Sequence, residues 1–108
     1  MKYSDLTDTI ESLVNETLKE NDNDKDKTQD QLHELIDSLD LVIYYNKAWD
    51  VVECLRRFDS KALDQAEDYL NEIGTEYKGI DDLMVKLSFA SLLNMAEQYL
   101  NNIESEAV

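Results

Sequence analysis

A chain of 108 residues with 43% apolar content, no proline and only two glycines can bury a core without metals or disulfides, and it favours long uninterrupted helices in one domain. Its 25 acidic residues against 10 basic ones leave a formal charge of −15, about one uncompensated charge per 400 Å² of a folded surface of about 6,000 Å². Direct binding to nucleic acid or to an anionic membrane is excluded by that balance, because the cations that would neutralise phosphate are missing.

Residues 4–20 carry Leu6, Ile10, Leu13, Val14 and Leu18 at helical spacing, which predicts an amphipathic first helix with Ser4 as its N-cap. The polar run Asn21 to Thr28 reads as a flexible loop. Its Asp22, Asp24 and Asp26 match the first three ligand positions of an EF-hand. The match fails where Lys27 replaces the required glycine and His33 the bidentate glutamate, so no calcium site is expected. A second helix is expected from about Gln29 to Leu39, capped by Thr28, with Leu32, Leu35, Ile36 and Leu39 inward.

Asp40 reads as a break, after which Val42 to Phe58 forms a third helix. Tyr44, Ala48, Val51, Val52, Leu55 and Phe58 share its inner face, Tyr45 and Trp49 stand at the margin, and Glu53 with Arg57 forms an i, i+4 pair. The single Cys54 reads as a small buried hydrophobe. Asp59 or Ser60 caps a fourth helix running to Ile73 and ending at Gly74, with Ala62, Leu63, Ala66, Tyr69, Leu70 and Ile73 inward. The fifth starts near Asp81 or Asp82 and reaches about Ile103; between Asp82 and Glu97 its only charge is Lys86. A helix apolar on nearly all sides is central or covered by a partner, so a central role is expected, with a homodimer contact as the alternative. The fold class is all-α, a compact bundle of four to five helices.

One internal echo stands out: Leu63, Ala66, Glu67, Tyr69, Leu70, Asn71 and Ile73 recur 30 residues later as Leu93, Ala96, Glu97, Tyr99, Leu100, Asn101 and Ile103. A single pair of such segments is too few for a solenoid. No phosphate-binding glycine loop, HExxH, CxxC or GxSxG motif is present. His33 and Asp37 at i, i+4 could ligate a metal, but the spacing offers no third ligand. The expectation is a protein that is not an enzyme and has no cofactor. With one cysteine and neither a signal peptide nor a long apolar run in the sequence, the expected setting is a reducing cytoplasm.

What remains is the arrangement of charge. Asp30, Glu34 and Asp37 lie at i, i+4 and i+7 with no lysine between them, although like charges at this spacing cost a few tenths of a kcal/mol per pair. Asp50 and Glu53 follow on the third helix, and Asp64, Glu67 and Asp68 on the fourth. Carboxylates one turn apart on adjacent helices approach the charge density of a DNA backbone. These eight residues are the candidate partner-binding face.

The block Leu32, His33, Ile36, Asp37, followed by Val42, Ile43, Tyr44, Tyr45, Lys47, Ala48, Trp49 and Asp50, resembles small acidic anti-defence proteins of phages and plasmids, the Ocr-like DNA mimics, over about 30 residues. The resemblance implies an all-α, commonly dimeric DNA mimic that occupies the basic cleft of a restriction, CRISPR or related nuclease. The C-terminal NNIESEAV departs from that pattern, which calls for a densely acidic tail. The competing expectation is a helical interaction module that recognises one protein by shape, with the Trp49 and Tyr45 margin or the fifth helix as its interface.

Overall fold

The first helix begins without a side-chain cap and stops where the backbone turns left-handed. In the computed structural model, which describes residues 2–39 and 45–103, α1 spans Tyr3–Glu20 and buries Leu6, Ile10, Val14, Thr17 and Leu18. Lys2, not Ser4, is its N-cap residue, and it offers no side-chain bond to the first turn. Helix α1 ends where Asp22 and Asn23 adopt φ of 54° and 65°, a left-handed conformation that Asp and Asn tolerate better than most residues.

The connection is shorter than the sequence suggests, covering Asn21 to Asp24 rather than Asn21 to Thr28. Helix α2 spans Lys25–Asp37, and its cap is Asp24, whose carboxylate accepts from the Lys27 N–H at 3.1 Å. Thr28, expected as the cap, is instead buried one turn inside. Its hydroxyl donates to Asp24 O at 2.8 Å and accepts from Asn21 Nδ2 at 3.1 Å. Asn21 Nδ2 also donates to Gln31 Oε1 at 2.9 Å. This buried network fixes α2 against the end of α1.

The expected break at Asp40, the first residues of the third helix and the inward placement of Tyr44 lie outside the described residues. Within them, α3 spans Tyr45–Phe58, α4 spans Ser60–Glu72 and α5 spans Ile80–Asn102. Asp59 caps α4 by accepting from the Ala62 N–H at 3.3 Å. Gly74, at φ +66°, turns the chain out of α4 with the left-handed backbone common after a helix C-terminus.

Three inward assignments need correction. Phe58 is 63% exposed, Ile73 56% and Tyr69 39%. Phe58 and Ile73 stand at the extreme ends of α3 and α4, where the neighbouring helices no longer cover them, and Tyr69 lies at the edge of its helix's apolar stripe. The ion pair is also displaced: Glu53 pairs with Arg56 at 3.0 Å, not with Arg57.

The core is one continuous cluster drawn from all five helices, including Leu6, Ile10, Leu32, Ile36, Val51, Leu55, Leu63, Leu70, Leu92 and Leu100. Helix α5 packs against each of the other four, as its apolar circumference led us to expect. The remaining contacts are α1 with α2, α1 with α3, and α3 with α4. No contact joins α2 to α4 among the described residues, so the four helices form an open arc around α5 in the order α2, α1, α3, α4.

The internal echo has a structural counterpart. Leu63, Ala66 and Leu70 are buried on α4, and Leu93, Ala96 and Leu100 on α5. Ile73 and Ile103 are the C-cap residues of these helices, and each bonds its N–H to a tyrosine carbonyl, Tyr69 or Tyr99, at 3.1 Å. The repeated segment is a helix C-terminus used twice.

Candidate partner-binding surface

The acidic residues of α2 are turned outward by the residues that turn inward. Leu32 and Ile36 are fully buried, and the Asn21–Thr28–Gln31 network fixes the rotation of the helix. Asp30, Glu34 and Asp37 are therefore exposed. His33 is also exposed, with its ring edge-on to Phe89 of α5 at 4.8 Å between centroids. That contact seats α2 on α5, and no group of three or more His, Cys, Asp or Glu among the described residues is arranged to hold a metal.

On α3, Ala48, Val51, Val52 and Leu55 are buried and Asp50 is exposed. Glu53 is half-buried and accepts from Arg56 Nη1, which makes it the least available of the eight candidate carboxylates. Asp64, Glu67 and Asp68 are exposed on α4. The rows on α3 and α4 sit on helices that touch, whereas α2, among the described residues, touches only α1 and α5. The eight residues thus form two groups, and the fold does not bring Asp30, Glu34 and Asp37 onto one face with the other five.

Few cations quench these charges. Between described residues the ion pairs are Glu53 with Arg56 and Asp82 with Lys86, the latter at 2.9 Å. Asp82 also accepts from the Lys78 N–H at 2.9 Å. The Lys86 hydrogen bond, followed by that of Lys78, holds the Asp82 carboxyl below its usual range. Lys86 additionally donates to Glu76 O at 2.8 Å and lies 5.7 Å from the centre of the Tyr77 ring. The one basic residue in the middle of α5 is occupied in pinning the α4–α5 loop.

A second surface feature escaped the periodicity. Among the described residues, the exposed large apolar side chains Tyr69, Ile73, Tyr77 and Ile80 cluster in one stretch of sequence around the α4–α5 turn, and only Phe58 lies elsewhere. Tyr69 and Gln65 of α4, with Ala90, Leu93, Asn94 and Glu97 of α5, line a shallow pocket of about 100 Å³. The available signal was the pair Ile73–Gly74, which puts an apolar residue at a helix end. Trp49 packs partly buried against the core, in keeping with its place at the margin of the α3 apolar face.

The single thiol, Cys54, is buried, and burial pushes its pKa up. No helix among the described residues is long and apolar enough to cross a membrane. No known protein family, curated protein or solved structure matches this chain.

Proposed function

We propose that this protein is a non-enzymatic inhibitor that presents its acidic helix faces as a surrogate for DNA, occupying the basic nucleic-acid-binding cleft of a host restriction, CRISPR or related defence enzyme. The observation that carries the reading is the density of unquenched charge on a folded body. A net charge of −15 is carried on 6983 Å² of surface, one charge per roughly 470 Å². Along the 47 Å long axis it amounts to one per roughly 3 Å, about half the linear charge density of duplex B-DNA, which carries one per about 1.7 Å. Helix backbones hold these carboxylates on a packed core, so a basic cleft would meet a preorganised anion rather than a collapsing acidic tail.

The two acidic groups suit a cleft that wraps the molecule more than a flat contact. Exposed carboxylates contribute about 0.2 to 1 kcal/mol each, so the energy is spread and no single residue dominates. The test is capture of the partner from a bacterial lysate followed by competition with duplex DNA. Displacement of the captured protein by DNA, together with loss of capture by Asp30→Lys/Glu34→Lys/Asp37→Lys or Asp64→Lys/Glu67→Lys/Asp68→Lys, is the expected outcome. Retention of the partner in the presence of excess DNA would remove the reading, as would an affinity unchanged from low salt to about 1 M, where the Debye length is about 3 Å.

A further inference from the structure

The shallow pocket between α4 and α5 brings three kinds of side chain together. Gln65 and Tyr69 stand one turn apart on α4, and Ala90, Leu93, Asn94 and Glu97 span two turns of α5, about 10 Å along its axis. Ala90 and Leu93 are buried and make the floor apolar, while Tyr69 leaves part of its ring bare at the surface. Gln65 and Asn94 bridge the helices: Gln65 Oε1 accepts from Asn94 Nδ2 at 2.7 Å and from Gln98 Nε2 at 3.1 Å.

Both lone pairs of that amide oxygen are therefore engaged, and the one anionic acceptor among the six lining residues is Glu97. It is half-buried, and among the described residues it makes neither an ion pair nor a side-chain hydrogen bond. Partial burial weakens the hydration of a carboxylate, which a cation with matched donors offsets. None of the lining residues is cationic, and a molecule of charge −15 draws cations from its surroundings.

The surround of Glu97 selects among cations. An ammonium is a compact, strongly hydrated charge with three donors, whereas a guanidinium is planar, more weakly hydrated and has its donors only along its edge. Its faces lie against Leu93 and the Tyr69 ring without stranding a donor on apolar surface, and the ring attracts the charge. Its edge offers the two Glu97 oxygens a pair of parallel N–H bonds. Size agrees as well: the pocket holds about 100 Å³, against about 150 Å³ for a cavity that accommodates benzene, and a guanidinium has fewer heavy atoms than benzene.

We propose that this pocket binds the guanidinium of an arginine side chain carried by a protein partner, with Glu97 as its anchor and Tyr69 stacked against it. The methylene stem of the arginine crosses the floor at Ala90 and Leu93. A chain-borne arginine has no free carboxylate to set against Asp64 and Asp68, the exposed acids next to Gln65 and Tyr69 on α4. The proposal goes beyond DNA mimicry and does not rest on it. Carboxylates anywhere on the surface satisfy a cleft that reads charge, whereas this site distinguishes two cations of equal charge.

The experiment titrates the isotope-labelled full chain with acetyl-arginine methylamide and follows the side-chain amides of Gln65 and Asn94 and the backbone amides of Leu93 and Glu97 by NMR. The matched lysine derivative keeps the charge without the planar fork, and the citrulline derivative keeps the shape without the charge. The arginine probe is expected to bind in the range of about 1 mM, at least about fivefold tighter than either control; free arginine is expected to bind no tighter than the blocked form. Glu97→Gln should weaken binding by at least about tenfold and Tyr69→Leu by about threefold, with helix content checked by circular dichroism. Glu20→Gln removes one exposed charge from α1, which does not touch α4 among the described residues, and should leave the affinity unchanged. Equal binding of the lysine probe would reduce the effect to general charge attraction and overturn the proposal. So would undiminished binding by Glu97→Gln, or shifts spread over the acidic helices instead of the pocket. Tighter binding of free arginine would assign the pocket to a free amino acid and overturn the assignment to a protein partner.

Discussion

Tyr3 Oη donates a hydrogen bond to Asp59 Oδ2 at 2.8 Å, joining residues 56 positions apart. The same carboxylate caps α4 through its other oxygen, and the Tyr3 ring packs against Phe58 at 6.2 Å between centroids. The start of α1 and the start of α4 are thereby tied to one side chain. Desolvation, reinforced by the Asp59 hydrogen bond and charge, pushes the Tyr3 pKa from about 10 up to about 12. A raised pKa in the folded state means that folding favours the protonated phenol. Its contribution to stability is complete below pH 10 and disappears as pH rises to about 12. In Tyr3→Phe this alkaline loss should be absent and stability near neutral pH lower by about 1 kcal/mol. Urea melts of both proteins across that range check the prediction, with the difference between them isolating Tyr3 from other groups that titrate there.

Ser91 is fully buried on α5, and its hydroxyl has no hydrogen-bond partner. A buried hydroxyl without a partner costs about 1 to 3 kcal/mol, and alanine is also the better helix former. Ser91→Ala should therefore raise stability, by about 1 kcal/mol after allowance for lost packing. A lower denaturation midpoint in the variant would contradict this account of the site.

Glu34 has an acidic residue at i−4 and another at i+3, Asp30 and Asp37, and is exposed. Glu34→Lys turns both repulsions into attractions and should stabilise the protein by about 1 kcal/mol at low ionic strength. Because the wild-type protein carries −15, added salt should raise its melting temperature by screening self-repulsion. The variant should respond less. Thermal melts from low salt to about 1 M test both statements, and a wild-type melting temperature insensitive to salt would show that self-repulsion has little effect on the fold.

The buried Cys54, with its pKa raised by burial, should react slowly with a disulfide reagent in the native protein. Its labelling rate should rise steeply through the urea transition, giving an unfolding readout that needs no substitution. Rapid native labelling would indicate local opening of α3.

Much of the architecture could be read from periodicity alone. Leu6, Ile10, Val14, Leu32, Ile36, Val51, Leu55, Leu63 and Leu70 all face inward as their spacing requires. Asp59 and Gly74 bound α4 where cap chemistry puts them. The start of α2 is not legible from periodicity because Lys25 to Thr28 is polar without an apolar period, while the decisive group, the Asp24 carboxylate, also suits a turn. Periodicity gives a residue's angle around its helix but not how far the neighbouring helices extend. Phe58 and Ile73 therefore pointed the expected way and still emerged into solvent. The candidate surface was legible as exposed carboxylates. Its division into two groups was not, because the order of helices around α5 depends on which apolar faces pair, and the apolar stripes of α1 through α4 are similar in composition.

The dependence of α1 through α4 on α5 sets an order of events during synthesis. Translation proceeds at about 5 to 20 residues per second from the N-terminus, so the helix that contacts all the others is the last of the five to appear. Until it does, four amphipathic helices have their own apolar stripes but no common surface to close on. Cooperative folding of this unit therefore has to wait for the final helix. In the interval, the emerging chain's excess of negative charge keeps neighbouring copies apart while those stripes are still uncovered.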